Sequence, residues 1–268
     1  MTAIDVWAQQ PNRKFLSQPY FDSLKKWTGL DLEDIPLDYL LQTMEAADVS
    51  KALLAAWYGP QGVLISNQEV LDLVSQYPDK FAGLASVDIR NPVEGVRTLR
   101  KYVTEHGFKG LRIVQWLWEL PCTNALYYPL LTECVELGVP ICLQVGHTGP
   151  LRSSESGRPS HIERIALDFP DLKIVGGHIG YPWHVEMIAL ATKFPNVYID
   201  TSAYVPKRYP DELVSYMKGH GRTKVMFGTN YPMITAQTCL SQLDQLDLSD
   251  EVKELFLRKN AELVFDLY

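Results

Sequence analysis

The residues of this 268-residue chain best placed to do chemistry stand at the ends of short apolar runs. His178 closes Val175-Gly-Gly-His178-Ile-Gly-Tyr-Pro, where an imidazole that titrates near neutrality serves either as a general acid/base or as a hydrogen bond to a loop. Asp200 ends another run and has three open roles: orienting His178, pairing with Arg112, or acting as a base. Arg112 interrupts Leu111-Arg112-Ile113-Val114, and a charge there needs a partner. That partner is Asp88, Asp200 or a substrate carboxylate, with the internal ion pair favoured. Gln9, Gln144 and Asn230 carry amides, which both donate and accept, and together they suit a neutral cup for an oxygen-rich ligand. His147, on the turn Gly146-His147-Thr148-Gly149-Pro150, is a further candidate for substrate contact.

Aromatic residues crowd beyond the same run ends: Trp116, Trp118, Tyr181, Trp183, Tyr204 and Tyr231. Any one of them alone packs a loop, but as a group they wall a pocket for a planar ligand, and Trp183 is taken as a substrate contact. The loop 150–159, with Arg152 and Arg158, either clamps an anion or is solvated, the second being favoured. Asp5 lies near a strand centre and reads as structural. The cysteines, Cys122, Cys134, Cys142 and Cys239, show no CxxC spacing and read as buried structural thiols.

These positions require a scaffold of alternating elements. Strands are expected at 3–9, 51–57, 81–87, 108–115, 140–146, 173–178, 197–203 and 224–230. Helices are expected at 37–47, 67–76, 93–105, 125–137, 160–169, 184–193, 211–218 and 236–246, and a last one at 250–264. Tyr77-Pro-Asp, Phe169-Pro-Asp and Phe194-Pro-Asn punctuate helix-to-strand steps in one way: an aromatic packs, proline stops the helix, Asp or Asn turns. Repeated βα units with continuous apolar strands predict an α/β (β/α)8 barrel spanning 1–268, and no GxGxxG follows the first strand to suggest an open doubly wound sheet. Segment 10–34, with Phe15, Tyr20, Phe21 and Trp27, stands outside the repeat as a lid or a packing arm.

Composition narrows the partners. With 46% hydrophobic and 21% charged residues the chain has material for a core, and at net charge −7 it has no basic run to neutralise phosphates, which excludes nucleic acid. The start, Met1 to Trp7, lacks a secretory pattern, and no window approaches ~20 apolar residues. The expectation is a cytoplasmic protein without membrane contact, with a small molecule as its partner and self-association open.

Val175-Gly-Gly-His178, Phe227-Gly-Thr-Asn230-Tyr-Pro, Phe108-Lys-Gly-Leu-Arg112 and Ile4-Asp5-Val6 resemble the amidohydrolase-related family. It includes decarboxylases of aminocarboxymuconate semialdehyde and of hydroxybenzoates, and several lactone hydrolases. The resemblance implies a barrel acting on small carboxylated molecules, with the strand-six histidine as general acid/base. The family pattern also has an HxH or ExH pair ending strand one, a histidine ending strand five and an aspartate at strand eight. Here Trp7 and Gln9, Gln144, and Asn230 stand in those places. Neutral amides are weak zinc ligands, and His147 with His178 makes an incomplete pair, so no metal and no other cofactor is expected. The sequence thus points first to a metal-independent hydrolase of an aromatic or lactone-like acid. In that reading His178 takes a proton from water, and Arg112, His147 or the amides hold the oxyanion. The alternatives are a non-oxidative decarboxylase of a hydroxybenzoate-like acid and an inactive ligand-binding barrel.

Overall fold

The structure, a computed structural model, describes residues 2–29 and 33–268, and of the former the side chains of Leu24, Trp27 and Thr28 are not described. The expectation placed on Trp27 therefore lies outside the described residues. In chain order the strands are β1 (Ala3–Ala8), β2 (Val49–Ala55), β3 (Trp57–Gly59), β4 (Gly62–Ile65), β5 (Phe81–Leu84), β6 (Leu111–Ile113), β7 (Ile141–Gln144), β8 (Ile174–Gly177), β9 (Val197–Asp200) and β10 (Val225–Met226).

Parallel pairing runs β1-β2-β5 and β10-β9-β8-β7-β6. Bridges Ala85↔Leu111 and Ala8↔Tyr231 join the two sets. The Arg112 amide donates to the Ala85 carbonyl at 2.8 Å and the Val6 amide to the Phe227 carbonyl at 3.0 Å, so the two sets close on each other and the fold is a (β/α)8 barrel. β3 and β4 form an antiparallel hairpin outside the barrel, turned by Gly62 at φ +102°. The apolar pattern had merged Trp57 with β2, because Lys51 to Trp57 contains no turn residue.

The helices follow local signals. Ser66 and Glu69 form a reciprocal capping box on Asn67–Gln76. Asn91 caps Pro92–His106, which ends on left-handed Gly107. The expected last helix is broken into Asp250–Glu254, a π-turn Leu255–Lys259 and Asn260–Phe265. The Phe256 carbonyl there accepts from the Phe227 amide at 3.1 Å, and Asn260 donates to the Arg222 and Val225 carbonyls. Fastening this helix under β10 draws a carbonyl out of the regular ladder. The expected helix 236–246 likewise splits into Ala236–Leu240 and a 3-10 turn, Leu243–Leu246.

All four cysteines are buried and free. No helix among the described residues is long and apolar enough to cross a membrane.

Candidate active site

Beyond the C-terminal ends of the barrel strands lies a cavity of about 560 Å³, lined by Gln9, Gln144, His147, His178 and Asn230, with Phe15, Phe21, Trp57, Trp116 and Tyr204 among its apolar walls. Parallel strands deliver these polar side chains to one end because each strand points the same way. His178 directly follows β8 and is buried. Its Nδ1 lies 2.5 Å from Ser202 Oγ, and Ser202 Oγ donates to Asp200 Oδ2 at 3.0 Å. The Ser202 amide also donates to Asp200 Oδ1 at 2.6 Å. Asp200 thus does not line the cavity; it reaches the site through Ser202.

The glycines of the two motifs make room for this line of residues. A Cβ at Gly177 would meet Asp200 Oδ2 and the Trp7 ring, and one at Gly228 would meet Asp200 Oδ1. Burial pushes Asp200 up to about 7 against the opposing hydrogen bonds from Ser202 and the charge of Arg112. Burial, and secondarily the charge of Arg112, pushes His178 down to about 3. The imidazole is therefore neutral at pH 7.

The amides form a chain whose polarity is dictated by donors that cannot accept. Arg112 Nη1 donates to Gln9 Oε1 at 3.3 Å; Gln9 Nε2 then donates to the Tyr231 carbonyl and to Asn230 Oδ1. Trp116 Nε1 donates to Gln144 Oε1 at 2.7 Å. An arginine or an indole N–H can only donate, so each amide oxygen is turned toward a donor inside the protein. Gln144 and Asn230 keep their NH2 groups for the cavity, making the cup a donor surface that suits a carboxylate.

Three expectations are corrected. Arg112 does not line the cavity and has no carboxylate within 4.0 Å among the described residues: Asp88 pairs instead with Arg90 at 2.8 Å. The Arg112 guanidinium lies 4.0 Å from the Trp7 ring centroid and its Nη atoms donate to the Val6 and Ala8 carbonyls of β1 in place of a counter-ion, while its buried Nε has no hydrogen-bond partner. Burial lowers it to about 10, so it keeps its charge. Trp183 also does not line the cavity, and Arg158 lies over its ring at 5.6 Å. Arg152 and Arg158, the cations of loop 150–159, are paired with Glu119 and Glu186.

Segment 10–34 supplies Phe15, Leu16, Phe21 and Lys25 to the cavity wall, with Phe15 edge-on to Trp57 at 5.0 Å. Sequence reasoning missed Ser202, Lys207 and Arg208. Ser202 was readable only as the polar residue two places beyond Asp200, and Lys207 and Arg208 only as cations on a Pro-bounded turn after β9.

A sequence model described as amidohydrolase matches residues 5–267. The gamma-resorcylate decarboxylase of Rhodococcus jostii is 23% identical, over 94% of this chain and 93% of that protein. An uncharacterised TIM-barrel protein from Bordetella bronchiseptica superposes with a TM-score of 0.86 at 21% identity, over 99% of both chains. A dihydroxybenzoic acid decarboxylase from Polaromonas, solved with manganese and 2-nitroresorcinol, superposes with a TM-score of 0.79 at 18% identity, over 99% of this chain and 97% of that one. The donor set here does not fit such an ion. Trp7, Gln9, Gln144 and Asn230 stand where the family resemblance places ligands, the three amide oxygens face donors within the protein, and no three His, Cys, Asp or Glu cluster among the described residues. With the model match spanning nearly the whole sequence, the chain belongs to the amidohydrolase family, in its branch akin to the aminocarboxymuconate-semialdehyde decarboxylases.

Proposed function

We propose that this protein is a metal-independent, non-oxidative decarboxylase of a small planar hydroxybenzoate-like acid. The comparisons reverse the order expected from the sequence, where hydrolysis came first, since two curated relatives are decarboxylases. The observation that carries the reading is His178 on the cavity, its Nδ1 in line with Ser202 and Asp200, beside the amide donors of Gln144 and Asn230.

The donors hold the substrate acid, and the aromatic walls exclude water from it. When Asp200 is protonated it donates to Ser202 Oγ and Ser202 donates to Nδ1, the reverse of the direction that holds for the carboxylate, so His178 carries its proton on Nε2 and delivers it to the ring carbon that bears the carboxylate. The carbon–carboxylate bond then breaks, its electron pair returns to the ring and carbon dioxide leaves. A neutral imidazole cannot give up this proton alone without becoming an anion. Ser202 therefore passes its hydroxyl proton to Nδ1 as it takes the proton of Asp200, whose raised pKa keeps a carboxylic acid available near neutrality. A proton entering at Nε2 from the next substrate's hydroxyl or from water runs the line backwards and resets it.

One observation favours hydrolysis as a second reading: a histidine pushed down to about 3 is neutral and can take a proton from water. Turnover in labelled water separates the readings. Decarboxylation leaves solvent deuterium on carbon and releases carbon dioxide, whereas hydrolysis places heavy oxygen in the product carboxylate. Heavy oxygen without carbon dioxide would overturn the proposal, and binding without turnover across hydroxybenzoates and lactones would favour an inactive barrel.

A further inference from the structure

The chain carries net charge −7, yet the cavity wall has the opposite sign. Among the described residues its lining includes Lys207 and Arg208, together with Lys25, which pairs with Asp22 at 3.8 Å, and no aspartate or glutamate. Nine of the eleven arginines have an acidic partner within 4.0 Å, and Arg112 and Arg208 are the exceptions. Arg112 is buried, with its Nη atoms on carbonyls and its guanidinium over Trp7. For Arg208 no carboxylate lies within 4.0 Å among the described residues.

Its position is built rather than loose. Lys207 and Arg208 sit on the 3-10 turn Pro206–Arg208, whose buried Pro206 and the buried Tyr209 that follows anchor it on either side of the two exposed cations. The Arg208 amide donates to the Val205 carbonyl at 2.8 Å and the Tyr209 amide to that of Pro206 at 3.0 Å. The turn is only a few residues beyond Ser202, so cations and proton line issue from one strand end. A guanidinium fork and an ammonium on consecutive residues of one turn match a carboxylate.

We infer that the ligand of this cavity carries a second carboxylate, distant from the one held at the amide cup, and that Lys207 and Arg208 select for it. The inference deepens the proposed function, since it takes the same cavity as the substrate site. Its test reads binding and needs no turnover. Isophthalate and 3-carbamoylbenzoate differ only in the charge of one substituent. Calorimetric titration of the full-length protein at low salt is expected to favour isophthalate by about tenfold or more, an advantage that shrinks as salt is added. In the Lys207→Gln/Arg208→Gln double variant the ratio is expected to fall to about twofold or less, with an unchanged thermal midpoint because both side chains are exposed. Equal affinities in the wild type, failure of isophthalate to bind, or an undiminished ratio in the variant would overturn the inference. A diacid preference without any decarboxylation would sink the proposed function and leave this inference standing. Turnover of hydroxybenzoates without a diacid preference would do the reverse.

Discussion

Two buried carboxylates in this barrel are each bonded to a hydroxyl, and they differ in what that hydroxyl touches next. Asp5 accepts from the amides of Trp7 and Thr229 and from Thr229 Oγ1, and Thr229 Oγ1 in turn accepts from the Tyr231 amide at 2.9 Å. Asp200 accepts from the amide and hydroxyl of Ser202, and Ser202 Oγ meets the His178 ring. A peptide N–H does not give up its proton near neutral pH, so the first arrangement is closed and only fastens β1 to the loop after β10. An imidazole exchanges protons, so the second is open at the cavity. The donors also explain the electrostatics: with three of them burial lifts Asp5 to about 6, and with two it lifts Asp200 to about 7.

The hardest blow to this contrast is at the open end. His178→Asn keeps a polar side chain of similar reach but no exchangeable ring proton, and kcat is expected to fall about 100-fold or more with the fold intact by circular dichroism. Activity surviving with its pH profile unchanged would remove His178 from the chemistry. Ser202→Ala breaks the line one step further back, and a loss of about 10- to 100-fold is expected. Asp200 supplies the proton only while it is a carboxylic acid. Wild-type kcat should therefore decline as pH rises through about 7, and Ser202→Ala should lose that limb. A variant that is slower but keeps the limb would reduce Ser202 to packing.

Thr229→Val cuts the closed arrangement instead. Here the expected cost is stability, about 1–3 kcal/mol in denaturant unfolding, with the pH profile of turnover retained. The sign with pH follows from the raised Asp5. Between its ordinary value of 3.8 and about 6 the folded protein holds a proton that the unfolded chain releases, so Asp5's contribution falls as pH rises. Losing a bond to the charged form widens that window upward. The deficit of Thr229→Val should thus be larger at pH 8 than at pH 4, and a deficit independent of pH would assign the loss to packing alone.

The strands were legible in the sequence because each barrel strand is buried on both faces and reads as an unbroken apolar run. The hairpin Trp57–Gly59 with Gly62–Ile65 was not, since its first strand carries on from β2 without a polar break. At the site, His178, Gln9, Gln144, His147 and Asn230 were readable from strand ends, because a parallel barrel sends all of these to one mouth. Arg112 was misplaced for a reason of geometry. It lies inside β6 rather than at its end, and carbonyls across the barrel take its Nη donors where sequence reasoning looked for a carboxylate. Ser202 gains meaning only from a ring 24 residues away, a contact that no local pattern announces.

The smallest expected effect is that of manganese. A divalent ion needs oxygen or imidazole lone pairs converging with compensating negative charge, and the cup turns N–H groups toward the cavity. Rotating the amides to turn their oxygens to the cavity would take Gln9 from Arg112 and Gln144 from Trp116, leaving buried donors unpaired at about 1–3 kcal/mol each. Dialysis against a chelator should leave turnover unchanged, and added manganese should leave the thermal midpoint where it was. The converse change sharpens the point: Gln144→His with Asn230→Asp puts an imidazole and a carboxylate beside His178 and His147, and this variant should retain manganese on elemental analysis where the wild type does not. Wild-type activity restored by manganese after dialysis would show that the amides do turn over, and the donor cup would then be a state that the ion displaces.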